Sequence, residues 1–216
     1  MRASPSVCAA VAAGALLLGA GAAAGARSAP APRPALGGCP VLPAGDAWNR
    51  DVSRDPVDPR SDAWVAAIGR RGRLHPDFGS GRRGNYGIPI TIAARRQPAR
   101  PVRFTDYPEE SDRGPYPIPA RARIEGGGDR HVIVLQRGTC RLFELFGARR
   151  AGGRWLAASG AVFDLRSGRP RPAGWTSADA AGLPILPGLA RPDEASAGVI
   201  GHALRFTAPR TQRAYV

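Results

Sequence analysis

The sequence predicts a mainly β domain, sandwich or jelly-roll-like, with a few short helices. Two observations carry this. From residue 86 onward, short β-branched or aromatic runs recur between Gly, Pro and Asp punctuation. Only three stretches carry helix start and stop signals, and each is short. A third observation, a pair of cysteines far apart in the chain, adds a staple to that fold.

In chain order, Arg2 is a basic n-region, Cys8–Ala24 an apolar run, and Ala24-Gly25-Ala26 a small-residue cleavage signal. The run of about 17 residues is short for a membrane span and has no charged stop. Residues 1–26 therefore read as a signal peptide, with secretion as the destination and no transmembrane segment after cleavage. "ALGGC" at Ala35–Cys39 imitates a lipoprotein box, but a proline-rich spacer separates it from the apolar run. Residues 27–38 read as a flexible Pro/Ala leader, and 39–216 as a single β-rich domain. That length suffices for one core and is too short for two. Cys8 leaves with the signal, so Cys39 and Cys140 remain and pair most simply as a disulfide. The bridge closes a loop of about 100 residues, worth up to ~4–5 kcal/mol in the chain-entropy model.

"CPVLPAGDAWNRDVSRDPVDPRSD" is turn-rich and wraps the domain as an irregular segment. "SDAWVAAIG" predicts a helix with Ser61 as N-cap and Gly69 as stop. "YGIPITIAA", "PVRF", "RHVIVLQR", "CRLFELFG", "RWLAAS", "GAVFDLR" and "HALRFTA" predict strands. Gly138-Thr139 between two of them predicts a hairpin with a type II′ turn, and "FGARRAGGRW" offers a second turn. Strand alternation puts Leu142, Glu144 and Phe146 on one face. It also sets Val162 and Asp164 opposite Ala161, Phe163 and Leu165. "TSADAAG" predicts a one-turn helix capped by Thr176 and Asp179 and stopped by Gly182. "RPDEASAG" predicts another, with Pro192 and two acids in its first turn. Between them "LPILPGL" is extended, so the long connection is an ordered cover over one end of the sheets. On this reading it sends Leu183, Ile185 and Leu186 into the core, with Trp175, Thr176 and Asp179 at a cleft rim.

The formal net charge is +14 and every basic residue is Arg. From Arg70 to Arg103 there are nine arginines and one acid, whereas Asp106–Asp112 holds four acids in seven residues. A solvated basic face answered by an acidic loop is the plain reading. An anionic polymer such as acidic polysaccharide, teichoic acid or, ranked last, nucleic acid is the functional one. No nucleic-acid partner is expected.

The motifs "CPVLPAGDAWN", "HPDFGS", "YGIPITI", "GPYPIP", "IEGGGDRHVIV", "CRLFELF", "SGAVFDLRS", "GWTSADAAGLPILPGL" and "HALRFT" together resemble a group of exported proteins common in GC-rich actinobacteria. The resemblance runs from about Cys39 to Val216. It implies secretion and a β-rich domain, and it carries no catalytic assignment. Chains of this group continue past "TQRAYV" with a further aromatic, His-bearing segment. The sequence here is then either a C-terminally truncated version or one in which that segment is dispensable.

No Walker A, H-E-x-x-H, G-x-S-x-G or C-x-x-C motif occurs, and "GSGRRG" at Gly79–Gly84 neither follows a strand nor opens a helix. No cofactor is implied. The three histidines offer one route to chemistry. His75 stands near Asp77, Asp129 and His131 share a strand face, and His202 begins "HALRF". In one cleft, His131 would act as base with Asp129 orienting it. Arg130 or Tyr86 would neutralise a substrate anion, and His75 and His202 would contact substrate. The same donor set suits a divalent metal. Alternatively, each ring bonds backbone at a strand end. Carboxylates offer a second route, with Glu125, Asp129, Glu144, Asp164 and Asp179 near apolar stretches and Glu144/Asp164 as the best pair for glycoside hydrolysis. Arginine salt bridges are the competing fate. Trp48, Trp64, Trp155 and Trp175 could stack on sugars or simply pack, and Trp175 is the one expected near a site. Two functions follow: an enzyme acting on extracellular or cell-wall polysaccharide, or a non-catalytic glycan- or wall-binding protein.

Overall fold

Whether the alternating runs become strands depends on each finding a partner, and most do. The computed structural model describes residues 33–73, 87–208 and 210, which lie in one unit. The strands are β1 (Ala35–Leu36), β2 (Cys39–Pro40), β3 (Ile90–Ala93), β4 (Val102–Phe104), β5 (Val132–Gln136), β6 (Arg141–Phe146), β7 (Arg149–Ala151), β8 (Arg154–Ala157) and β9 (Ser159–Asp164). The helices are α1 (Ser61–Ile68) and α2 (Pro192–Ala197), with 3-10 turns at Ala47–Asn49 and Leu186–Gly188. The fold is mainly β. His75, Tyr86 and the "GSGRRG" stretch lie outside the described residues.

A four-stranded sheet in the order β3-β5-β6-β9 forms the centre, with a three-stranded sheet β4-β8-β7 and the small β1-β2 hairpin beside it. A jelly roll is antiparallel throughout. Here β3/β5 and β4/β8 run parallel. The β1-β2 hairpin starts inside the stretch read as a leader, with Leu36 packed on the core.

At β5 the central sheet is covered on both faces, which explains why that strand is apolar at successive positions rather than alternating. One face presents Ile133, Leu135, Leu142, Ala161 and Phe163 to Leu42, Ile185, Leu186 and Leu189. The other presents Val132, Val134, Phe143 and Leu145 to Tyr116, Ile118, Trp155 and Ala157. Cys39 and Cys140 form a disulfide with Cα atoms 5.4 Å apart, both buried in the first cluster. That bond excludes a lipid on Cys39.

Several local expectations shift for identifiable reasons. The β5–β6 loop has four residues, since Gln136 pairs with Arg141 and the Cys140 amide bonds the Gln136 carbonyl at 3.0 Å. Cys140 takes φ 54° there, and so leaves the ladder on the way to Cys39. The "FGARRAGGRW" turn resolves into the β7–β8 hairpin around Gly152 and Gly153, both at positive φ. "TSADAAG" is a turn, not a helix. The Ser177 hydroxyl, rather than that of Thr176, accepts the Asp179 amide, and the Asp179 side chain accepts that of Ala181. "HALRFTA" forms no strand over its described length. Its Ala203 and Arg205 amides donate to the carbonyls of Trp48 and Gly188, which belong to short, separate segments. Helices α1 and α2 form as predicted, each followed by glycine at positive φ, although Arg60 rather than Ser61 is the N-cap of α1.

The outer edge of β9 would be an open template. Residues 105–112 cover it. The Gly160 amide donates to the Ser111 hydroxyl at 3.1 Å, the Asp112 amide to the Gly160 carbonyl at 3.0 Å, and the Val162 amide to the Asp112 carboxylate at 2.8 Å. Tyr116 fixes this strap from below, its hydroxyl donating to the Asp112 carbonyl at 2.7 Å. Burial, then the Asp112 charge, pushes that hydroxyl up, so it stays a donor.

Candidate functional site

The two faces of the central sheet have different fates, and the sequence-predicted residues divide between them. On the face covered by the long connection, polar groups are locked into structure. His131 is 7% exposed. Its Nε2 meets the Ala178 carbonyl at 3.1 Å and its Nδ1 meets the Glu125 carboxylate at 2.6 Å. A carbonyl only accepts, so Nε2 carries a hydrogen, and the ring has no free nitrogen to act as a base. The partner is Glu125 rather than Asp129, which is exposed and contributes its carbonyl to the Gly147 amide. Asp129 sits ahead of β5 in a loop, where strand alternation no longer sets its direction. Arg130 donates Nε to the Ala148 carbonyl at 3.0 Å.

Glu144 lies on the same face with no exposure. Its carboxylate accepts the amides of Ile185 at 2.9 Å and Leu186 at 2.9 Å, and so seats "LPILPGL" in the core. Burial pushes the Glu144 carboxyl up to about 7, while those two amides pull the other way. Ile185 and Leu186 are fully buried as expected, but Leu183 is largely exposed. Asp179 pairs with Arg205 at 2.8 Å. His202 forms a separate network, its Nε2 on Glu194 at 3.0 Å and its Nδ1 on the Ala203 carbonyl at 2.8 Å. His131 and His202 therefore share no hydrogen-bond partner. Among the described residues, no group of three or more His, Cys, Asp or Glu side chains is arranged to hold a metal.

The Glu144/Asp164 pair is not formed. In the β6/β9 register Glu144 lies opposite Ala161, and Asp164 lies opposite Arg141. Alternation then puts Asp164 on the other face of the sheet, away from Glu144. Each strand's parity was readable in the sequence, but which faces coincide was not.

That other face, beyond the end of the strap, is open. A groove of two adjoining lobes, about 460 and 340 Å³, crosses it and shares Asp112, Arg141 and Val162 between the lobes. Phe143 floors the first lobe, with Pro115 and Pro117 along its side and the Arg141 guanidinium 5.9 Å above the Phe143 ring. Asp164, Arg169, Pro170 and Arg171 bound the second. Arg171 is a supporting post. Its side chain is 5% exposed and pairs closely with Asp112 and the Glu110 carbonyl, while Nε donates to the Thr176 carbonyl at 2.8 Å. Trp175 lies beneath it, 5.5 Å from the guanidinium, and does not line the groove. Trp155 is buried, Trp48 packs on the core, and Trp64 stacks under Arg60.

Sequence reasoning picked Asp164 from this groove and missed Asp112, Arg113, Arg141 and Arg169. The acidic run at Asp106–Asp112 was the available signal. Its Glu110 and Asp112 clamp Thr176 and Arg171. Comparison with family models, with curated proteins and with solved structures finds no match, and the functional reading rests on the groove itself.

Proposed function

We propose that this is a secreted, non-catalytic glycan-binding protein of the extracellular space or cell wall, holding polysaccharide in the groove over Phe143 and Val162. One observation carries the reading. The groove combines an apolar floor with open polar groups, the guanidinium of Arg141 and the carboxylate of Asp164. A sugar ring has an apolar face and a rim of hydroxyls, and such a surface offers contacts to both. Each lobe falls in the ~300–1,000 Å³ range of ligand sites. The export signal and the disulfide support an oxidising destination. Among the described residues, no helix is long and apolar enough to cross a membrane.

A second reading, hydrolysis, is favoured by one fact. Asp112 and Asp164 both line the second lobe, and glycosidases place two carboxylates across the scissile bond. Against it, the same Asp112 oxygen is taken up by the Arg171 guanidinium and by the Val162 amide, which holds this carboxylate in the strap. The test is to incubate the oxidised protein with a panel of wall and plant polysaccharides. Retention on polymer and the soluble products, by mass spectrometry, are both read. Retention without new oligosaccharides is expected. New oligosaccharides that vanish in Asp164→Asn replace binding with hydrolysis, and retention on no polymer refutes the site.

A further inference from the structure

We infer that the groove selects acidic glycans, polymers of uronic acid whose ring carboxylates dock on Arg113, Arg141 and Arg169. This deepens the glycan-binding reading and rests on it. Four guanidiniums line the two lobes, and only Arg171 is occupied by a carboxylate. Among the described residues, no carboxylate pairs with Arg113, Arg141 or Arg169, and all three are exposed. Asp164 is the one acid of the groove without an arginine partner. Its Oδ1 accepts the Arg166 amide at 2.9 Å, which leaves acceptor capacity toward the groove. The free side chains therefore carry three positive charges and one negative. They are arranged with Arg113 in the first lobe, Arg141 between the lobes, and Arg169 and Asp164 in the second.

That pattern offers several separate cations and one acceptor to a polymer that carries a carboxylate on each ring and hydroxyls between. A guanidinium meets a carboxylate through two parallel hydrogen bonds, and Asp164 accepts from a hydroxyl. A polyphosphate backbone fits worse, because it would place phosphate against Asp164 and leave the apolar floor without a ring to cover. Nucleic acid fits worse still. Its backbone carries a phosphate at every nucleotide and so sets further anions against Asp164.

The oxidised protein is passed over immobilised polygalacturonate, the same polymer with its carboxyls reduced, a neutral glucan and double-stranded DNA. The expected result is retention on polygalacturonate at least about tenfold stronger than on its reduced form, falling with salt. Arg141→Ala with Arg169→Ala should weaken that retention by about tenfold or more at unchanged melting temperature. Arg54→Ala with Arg149→Ala, exposed outside the groove, removes the same charge and should leave retention within about twofold. Equal retention on the reduced polymer overturns the acidic preference and leaves glycan binding standing. Retention on no glycan overturns both. Stronger retention on DNA, or equal loss in the two double variants, also overturns the acidic preference, since the attraction would then be general charge.

Discussion

Replacing Glu144 with Gln removes one ionisable group from the core and keeps a side chain of the same shape. The carboxyl is fully buried between β6 and the Ile185–Leu186 turn, and burial moves it from 4.5 to about 7. Every tenfold gain in proton affinity on folding is worth about 1.36 kcal/mol, so the group makes stability vary by about 3 kcal/mol. The native state binds this proton more tightly than the unfolded chain does. Its contribution is therefore complete below pH 4.5, declines as pH rises through 7, and is gone above that. Asp179 raises the value and Arg205 lowers it, but both remain in the variant and largely cancel from the comparison. Urea unfolding of the wild type and Glu144→Gln at about pH 4.5 and pH 8 measures the effect. The difference between the two proteins should move by about 3 kcal/mol in favour of Gln across that interval. A difference that stays constant within about 1 kcal/mol would refute the buried, proton-holding Glu144. Movement the other way would mean that the ionised carboxylate, held by Arg205, is the favoured form.

Further outcomes follow from the same contacts. His131→Ala orphans the Ala178 carbonyl and leaves Glu125 only the residue 131 amide as partner. It should cost about 1–3 kcal/mol in denaturant titrations and leave glycan retention unchanged, because the ring lies across the sheet from the groove. Cys39→Ser with Cys140→Ser opens a loop of sequence separation 101, and should lower stability by about 4 kcal/mol or prevent folding at about 37 °C. Gly160→Ala places a methyl 2.6 Å from the Phe104 ring and 2.8 Å from the Tyr116 hydroxyl. Calorimetry should show a loss of about 1–3 kcal/mol as the strap is pushed off β9.

What the sequence disclosed was local, and what it hid was long-range. The parity of β6 and β9, the two helices and the cysteine pair could be read from alternation, caps and spacing. The β6/β9 register could not, and it decides whether Glu144 and Asp164 meet. The role of Glu144 was equally hidden, since its amide partners lie 41 and 42 residues away. The Arg171–Asp112 pair spans 59 residues, and only the folded strap reveals it. β7 escaped notice because "RRA" is exposed at every position and carries no alternation. "HALRF" misled for the opposite reason. Its composition suits a strand, but the segments it meets are too short to build one.

Amide chemical-shift mapping of the oxidised protein, titrated with a short oligogalacturonate, tests the groove most directly. Changes are expected to concentrate at Arg113, Arg141, Phe143, Val162, Asp164 and Arg169, with the amides of His131, Ile185 and Leu186 unmoved. Saturable binding that perturbs the His131 side of the sheet and leaves Arg141 and Val162 in place would contradict a glycan site in this groove.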